Sequence, residues 1–354
     1  MAARTAVGLD IGASGVRAAE LTLGKHPATL ERFGQVALPP GAVRDGEVVD
    51  SDTVARAIKQ LWATAKFSTK KVVLGVSNQK VIVRQVDLPF LPPNEMRKSL
   101  AFQVQDFIPI PVDQAILDFH PLEEFVNDQG GRMLRVLLVA ASRDMIAGAM
   151  QAAQKAGLTP TMVDLTPFAL LRSLAPADAQ GFDSEAEALV DVGASVTNII
   201  VHQGGVPRFV RILLMGGNDI TEAVAERMGM PIEQAEATKI QLGMSVDLMS
   251  EAAQHPAARV IDQYAGQFVD EVRGSLDYYL AQPQAVRLRR VVVSGGAAQL
   301  GGLVQRLGHA TRMSVEAGQP LANFKLGKLG LSPEQLRYVE PLVAVPVGLA
   351  MGVA

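Results

Sequence analysis

VGLDIGASGVRAAEL, residues 7–21, decides how the rest of the chain reads. An apolar run reaches Asp10, passes through Gly12-Ala13-Ser14-Gly15, and resumes at Val16. The pattern predicts two strands, over 5–11 and 16–23, joined by a glycine turn. A buried strand that ends in a carboxylate needs a reason, because an isolated ionised Asp is costly away from water. The phrase returns in LVDVGASVTNIIVHQGG, residues 189–205, where Asp191 precedes Gly193-Ala194-Ser195. The interval of 181 residues (191 − 10) is far too long for a solenoid repeat and reads as a duplicated domain.

Glycine in such a turn permits close approach, and the turn's N–H groups form a nest for an anion. A carboxylate beside the nest would repel phosphate unless a cation sat between them. Asp10 and Asp191 therefore point to Mg²⁺ held near phosphates from two sides, largely through water. Either motif alone reads equally well as an ordinary hairpin turn. Two weaker elements join the pair. VVVSGGAAQL (291–300) sets Gly295-Gly296-Ala297 between a strand and a helix, a turn against which a ring or ribose can lie. QAEATKI (234–240) puts Glu236 and Lys239 on one helix face, either as a solvated ion pair or as groups reaching ribose hydroxyls or the adenine edge.

Outward from these motifs the chain alternates strand and helix. ATLERFGQVALP (28–39) predicts a third strand, SDTVARAIKQLWATAKF (51–67) a helix, and KKVVLGVS (70–77) a buried strand. Residues 82–160 change character. VIVRQVDLP, ILDFHPLEEF and RMLRVLLVAAS read as strands. PPNEMRKSLAFQVQDFIP reads as a helix from Pro93 or Asn94 to just before Pro109, and RDMIAGAMQAAQKAGL as a helix stopped by Gly157. TPTMVDLTPFALLRSLA returns to strand and helix, and APADAQGFDSEAE (175–187) reads as a linker. The second copy continues as two strands (VTNIIVHQGG, VPRFVRILLM), a helix (NDITEAVAERMG), a helical stretch to about Leu280, and strand, glycine turn and helix over 286–308.

With 354 residues, 48% hydrophobic and 19% charged, the chain can build more than one core. A net charge of −3 gives no electrostatic case for nucleic acid binding. There is no cysteine, which removes disulfides, thiolate metal sites and Cys nucleophiles, and the five histidines show no metal-ligand spacing. The start enters a strand without a signal-peptide apolar region, and no stretch reaches the ~20 apolar residues that span a bilayer. PLVAVPVGLAMGVA (341–354) is expected to be a core helix.

In their order these elements resemble the actin-like ATPase superfamily. Within it the chain resembles the PilM family of cytoplasmic type IV pilus assembly proteins, related to the division protein FtsA. GLDIGASGVRAAEL (8–21), VDLPFLPPNEMRKSLAFQVQDFIPIPVDQAILDFHPL (86–122) and VEPLVAVPVGLAMG (339–352) carry the resemblance, the middle one most specifically. The fold it implies is α/β and actin-like: two duplicated ribonuclease-H-like domains with an FtsA/PilM-type α+β inserted subdomain. It divides the chain into a first domain (1–81, 161–187, 338–354), the insertion (82–160) and a second domain (188–337).

The resemblance implies ATP and Mg²⁺ as cofactors. Asp10 and Asp191 look like the Mg²⁺-associated carboxylates. Gly12, Ala13, Ser14, Gly15 and Val16 look like the first phosphate loop, and Gly193, Ala194 and Ser195 like the second. Gly216, Gly217 and Asn218 look like the turn near the ribose, Glu236 and Lys239 like the ribose and adenine pair, and Gly295, Gly296 and Ala297 like the adenosine loop. Thr166 stands before Pro167 where many relatives carry a Glu that positions water. A hydroxyl is a poor base near neutral pH, so nucleotide binding with slow or absent hydrolysis is expected.

The implied partners are the cytoplasmic N-terminal peptide of the inner-membrane protein PilN and other inner-membrane pilus components, with room for self-association. The implied location is the inner face of the cytoplasmic membrane, in service of pilus assembly and twitching motility. A groove for the peptide is expected around Val83, Arg84, Phe102, Phe107 and Ile108, unless the aromatics and Ile108 pack the insertion's own core. Other readings on the same fold are an active ATPase or sugar kinase, which needs a carboxylate base, and an FtsA-like filament protein, which is expected to carry a membrane-binding helix after the last element. The cytoplasmic part of a type II secretion protein is expected to continue into a membrane helix.

Overall fold

The computed structural model describes residues 4–24, 26–175, 185–244 and 255–353. Strands β1 (Arg4–Gly12) and β2 (Gly15–Leu23) pair antiparallel with Asp10 opposite Arg17. β3 (Thr29–Ala37) continues the meander. A small hairpin, β4 (Val43–Arg44) and β5 (Glu47–Val48), leads to helix α1 (Ser51–Ala65). β6 (Lys71–Val76) and later β10 (Thr159–Leu165) lie parallel to β1 on its other side. Short β16 (Lys325–Leu326) joins the far edge, completing the order β10-β6-β1-β2-β3-β16.

Alternation along β1 assigns its two faces. Val7, Leu9 and Ile11 enter a core with α1 and α3 (Arg143–Lys155). Ala6 shares a core with α9 (Pro333–Met351), the helix expected from the apolar tail. Ser332 and Gln335 start α9 with a reciprocal cap: Ser332 Oγ accepts from Gln335 N–H at 3.2 Å, and Gln335 Oε1 accepts from Ser332 N–H at 2.9 Å. Helix α4 (Thr166–Leu174) packs beside α9.

The second sheet repeats the plan. β11 (Ala186–Val192), β12 (Thr197–Gln203) and β13 (Val206–Leu213) form the antiparallel meander. β14 (Leu288–Ser294) and β15 (Ser314–Ala317) run parallel to β11, in the order β13-β12-β11-β14-β15. Helices α5 (Gly217–Met228), α6 (Ile232–Leu242), α7 (Pro256–Leu280) and α8 (Leu303–Thr311) complete this half. Ala186, Ala188, Val190 and Val192 face the core beneath α5 and α7. Leu189, on the opposite face, packs with Leu171 of α4, Ile200 and Val210. Helix α4 thus lies between the two sheets, and Asp191 shares the face of β11 that looks toward it.

The insertion is a three-stranded antiparallel sheet, β7 (Ile82–Pro89), β9 (Arg132–Ser142) and β8 (Ala115–Val126) in that order, backed by α2 (Pro93–Gln103). Helix α2 stops earlier than the expected end near Ile108. Fully buried Val104 and buried Ile108 turn inward to the insertion core, and a 3₁₀ turn over Gln105–Phe107 replaces the last helical turn. Gln85 of β7 donates to the Arg208 carbonyl of β13 at 2.7 Å, tying the insertion to the second half. Of the linker read over 175–187, residues 176–184 lie outside the described ones, and Ala186 and Glu187 already pair within β11. The helical stretch read up to Leu280 contains α6 and α7, and its residues 245–254 likewise lie outside the described ones.

Candidate functional site

The carboxyl ends of β1, β6 and β11 and the start of α4 meet in a cleft between the two sheets, which encloses about 90 Å³. Asp10, Gly12, Ala13 and Ser14 line it from the first half. Asp191, Gly193, Ala194, Ser195, Gly295 and Gly296 line it from the second, and Thr166 contributes from α4. Residues 181 positions apart in sequence are brought face to face because each sheet ends its first strand at the same place.

The duplication also makes Arg17 and Asn198 equivalent, each opposite its aspartate in the strand register. This contrast governs the electrostatics. Burial pushes the Asp10 carboxyl up, and Arg17, whose guanidinium lies 3.8 Å away, pulls it back. Arg17 also donates to Ser14 Oγ at 3.0 Å. Across its strand pair Asp191 meets an amide, and the Arg17 charge acts on it only more weakly. Burial and the nearby Asp10 charge push it up to about 7, against the hydrogen bond that Asn198 donates to it.

At Gly295 the backbone itself demands glycine. Its φ is +92°, and a Cβ there would stand 2.4 Å from the Val192 carbonyl oxygen and 2.8 Å from Asp191 Oδ1. The loop is pinned to α9, because Pro341 O accepts from Gly295 N–H at 3.2 Å and from Ser294 Oγ at 3.0 Å.

Other residues expected at the site lie behind this surface. The Val16 side chain is fully buried in the first core and Gly15 packs on Val36 of β3, and neither lines the cleft. Gly217 N–H and Asn218 N–H donate to the carbonyls of Gly193 and Ala194, at 3.0 and 2.7 Å, and Gly216 lies against the same carbonyls. These three residues brace the second loop from outside. Ala297 packs on the second core. Lys239 is only 6% exposed, and its three donors are spent on Gly217 O (3.0 Å), Thr221 Oγ1 (2.8 Å) and Glu236 Oε2 (2.7 Å). Glu236 is the exposed member of the pair and also accepts from Thr221 Oγ1. Lys239→Ala would leave a buried carbonyl and hydroxyl short of a donor. The expected cost is roughly 2 kcal/mol, read as a lower midpoint in urea unfolding.

Asp164, the carboxylate nearest Thr166 in sequence, is turned away. Arg172 and the Leu165 N–H occupy its oxygens, and it does not line the cleft. Several cleft residues carried no motif in the sequence: Gly46, Gly75, Ser77, Met145, Asn198 and Leu342. Two of them had a usable signal. Asn198 is the counterpart of Arg17, and Ser77 follows a parallel strand at its carboxyl end, where open α/β sheets place ligands.

The five residues expected to line a peptide groove differ in exposure. Val83 packs against hydrophobic clusters that join the insertion to the second half, while Arg84 is exposed. Phe107 and Ile108 pack the insertion core, because the chain turns inward after α2. Phe102 alone among the three hydrophobic residues after Leu100 stands out, at 81% exposed. Ile108 also lines an open concavity of about 650 Å³ with Gln105 and residues 109–113. Among the described residues no helix is long and apolar enough to cross a membrane.

Comparison with known proteins gives the family and the fold. A solved structure described as the PilM-PilN type IV pilus biogenesis complex superposes with a TM-score of 0.85 at 28% identity, covering 98% of both chains. MreB5 of Spiroplasma citri bound to ADP superposes with a TM-score of 0.56 at 10% identity, over 99% of this chain and 98% of that one, a likeness of fold alone. FtsA of Bacillus subtilis is 24% identical over 263 residues, which is 67% of this chain and 58% of FtsA. FtsA of Escherichia coli K12 is 25% identical over 361 residues, 89% of this chain and 84% of that protein. The fold is therefore the actin-like ATPase fold, built from two duplicated ribonuclease-H-like halves with an inserted α+β unit. The family model described as type IV pilus assembly protein PilM matches residues 8–353, and the chain belongs to that family.

Proposed function

We propose that this protein is an ATP-binding scaffold of type IV pilus assembly that closes on nucleotide and Mg²⁺ and turns it over slowly or not at all. The convergence of two Asp-x-Gly-Ala-Ser loops and the Gly295-Gly296 turn in one cleft carries the reading. In it, residues 12–14 and 193–195 bind phosphates, Gly295 and Gly296 flank the nucleoside, and Glu236 accepts from the ribose. Gly15, Val16, Gly216, Gly217, Asn218, Lys239 and Ala297 act from behind, by holding those loops in place.

The donor set suits Mg²⁺. Two carboxylates share the cleft, and no group of three acidic or histidine side chains able to hold a metal occurs among the described residues. Mg²⁺ commonly keeps most of its waters and takes one or two carboxylates plus substrate phosphates. Asp10 and Asp191 would hold it, and it would neutralise phosphate charge. Slow turnover follows from the side chains themselves: Thr166 offers a hydroxyl where a base is needed, and Asp164 is committed to Arg172.

The partner half of the proposal is a peptide from the cytoplasmic N-terminus of a PilN-type inner-membrane protein. Support comes from the PilM-PilN complex, similar over 98% of both chains. We place its site on the insertion of residues 82–160, near exposed Phe102 and Arg84, with the two α/β domains on either side as divided above. Such binding would hold the protein at the inner face of the membrane.

A single-turnover assay tests the nucleotide half. Protein is loaded with ATP and Mg²⁺, freed of excess, and its bound nucleotide followed over hours. The expected result is ATP that persists as ATP. Rapid conversion to ADP would overturn the scaffold reading in favour of a cycling ATPase, and failure to bind at equilibrium would overturn the assignment of the cleft.

A further inference from the structure

Ser77 and Asn198 belong to different halves of the molecule, yet they meet in the cleft. Ser77 Oγ donates to Asn198 Oδ1 at 2.5 Å. An amide that accepts with its oxygen has its nitrogen left to donate, and Asn198 stands directly opposite Asp191 in the strand register. Hydrogen bonding from Asn198 is also one of the influences that hold the Asp191 pKa down. Hydroxyl, amide and carboxylate thus follow one another from the first sheet to the second. Asn198 is buried, so its amide needs both partners.

The Ser77 end is itself held. The turn between β4 and β5 packs on its backbone so closely that a Cβ on Gly46 would lie 1.9 Å from the Ser77 carbonyl oxygen. Asn78, next in the chain, donates to the Asp45 carbonyl of that turn, and its own Oδ1 accepts from Lys80 N–H at 2.7 Å. The first half therefore presents the Ser77 hydroxyl from a fixed backbone.

We propose that Ser77 and Asn198 form a latch across the cleft, in which Asn198 is the positioning residue for Asp191 and Ser77 makes that positioning depend on closure. Opening the cleft removes the acceptor's partner from Asn198 and frees the amide to rotate, so Asp191 loses its fixed donor when the halves part. Closure and the orientation of the second carboxylate become one event. The consequence for ligand exchange rests on the nucleotide reading given above: a nucleotide held between the two halves leaves faster from a cleft whose latch is broken.

The latch can be tested without any ligand. The chain has no cysteine, so Lys59→Cys on α1 and Glu226→Cys on α5, both exposed, take a pair of spin labels on opposite halves. The expected result is that Ser77→Ala raises the open-to-closed ratio of label distances about five-fold, the size of one net hydrogen bond. Asn198→Ala does the same or more, and the double variant opens no further than Asn198→Ala alone. Unchanged distances in Ser77→Ala, or effects of the two single variants that multiply in the double, would overturn the latch. Ser77 is at the cleft surface, so its variant keeps the test open even if Asn198→Ala folds poorly. In a second arm, dissociation of a fluorescent ATP analogue with Mg²⁺ is expected to be about five-fold faster in Ser77→Ala, in step with the distances. Changed distances with no nucleotide bound by wild type would uphold the latch and reject the nucleotide reading. Unchanged distances with normal binding would do the reverse.

Discussion

Asp191→Asn is expected to make the nucleotide-free protein more stable and, in the same molecule, to weaken Mg²⁺-dependent nucleotide binding. The two effects have one cause. Asp191 is buried beside Asp10, and its pKa stands at about 7 against an ordinary 3.8. An acid whose pKa is raised by folding binds its proton more tightly when folded, so stability is fully present below the ordinary pKa and falls as pH rises toward 7. At about 1.4 kcal/mol per pH unit, the penalty at pH 8 amounts to roughly 4 kcal/mol at most. Asparagine carries no charge and can still accept from Asn198. Denaturant midpoints between pH 5 and 8 should fall for the wild type and stay flatter for the variant. A variant no more stable than wild type at pH 8 would mean that the carboxylate is solvated. Binding should move the opposite way. If Asp191 orders the cation's waters as proposed, its loss is expected to weaken nucleotide binding about tenfold or more in Mg²⁺ and to change it little in EDTA.

Gly348→Ala is expected to have the largest structural effect of any methyl-sized change. Gly348 of α9 crosses α4 so closely that a Cβ would fall 1.8 Å from the Ala169 carbonyl oxygen and 2.4 Å from its carbonyl carbon. These are backbone atoms in the middle of a helix, so no side-chain rotation can relieve the clash. Arg172 Nε donates to Gly348 O at 2.8 Å across the same crossing, and that bond would be strained as the helices part. A cost of roughly 3 kcal/mol or more is expected, together with displaced Thr166 at the head of α4. Gly274→Ala, in an exposed stretch of α7 with nothing near the added carbon, is the control. It is expected to stabilise by about 0.5 kcal/mol, since alanine suits a helix interior better than glycine. Equal urea midpoints for the two variants would refute the close crossing.

The local pattern was enough for much of this architecture. The phrase around Asp10 and its echo around Asp191 announced two similar halves, and the strands expected on either side of the first glycine turn lie where the pattern put them. Motif reading does not say which way a side chain turns, because tertiary placement decides that. Val16 and Lys239 belong to motifs yet face inward, because strand pleat and saturated hydrogen bonding direct them. Ser77 and Gly46 carry no motif and reach the cleft only through the meeting of distant strand ends. Helix α2 ended early because Val104 and Ile108 are drawn into a core shared with strands on both sides of it in the chain, Val86 and Leu88 of β7 and Leu134, Val136 and Leu138 of β9. The register of Asn198 with Asp191 was present in the duplication, but its value depended on the hydroxyl that the other half supplies.

The placement of α9 bears on how the molecule is made. This helix covers one face of β1 and β2, yet 320 residues of chain (332 − 12) separate the end of β1 from its start. On the ribosome that sheet face stays bare until the residues between it and Pro333 have emerged, so a sheet made early is sealed late. Such long-range closure slows folding and leaves Ala19, Leu21 and Leu30 open to water or to a chaperone in the interval. Truncation ahead of Pro333 should therefore yield a chaperone-bound, aggregation-prone chain rather than a smaller stable protein.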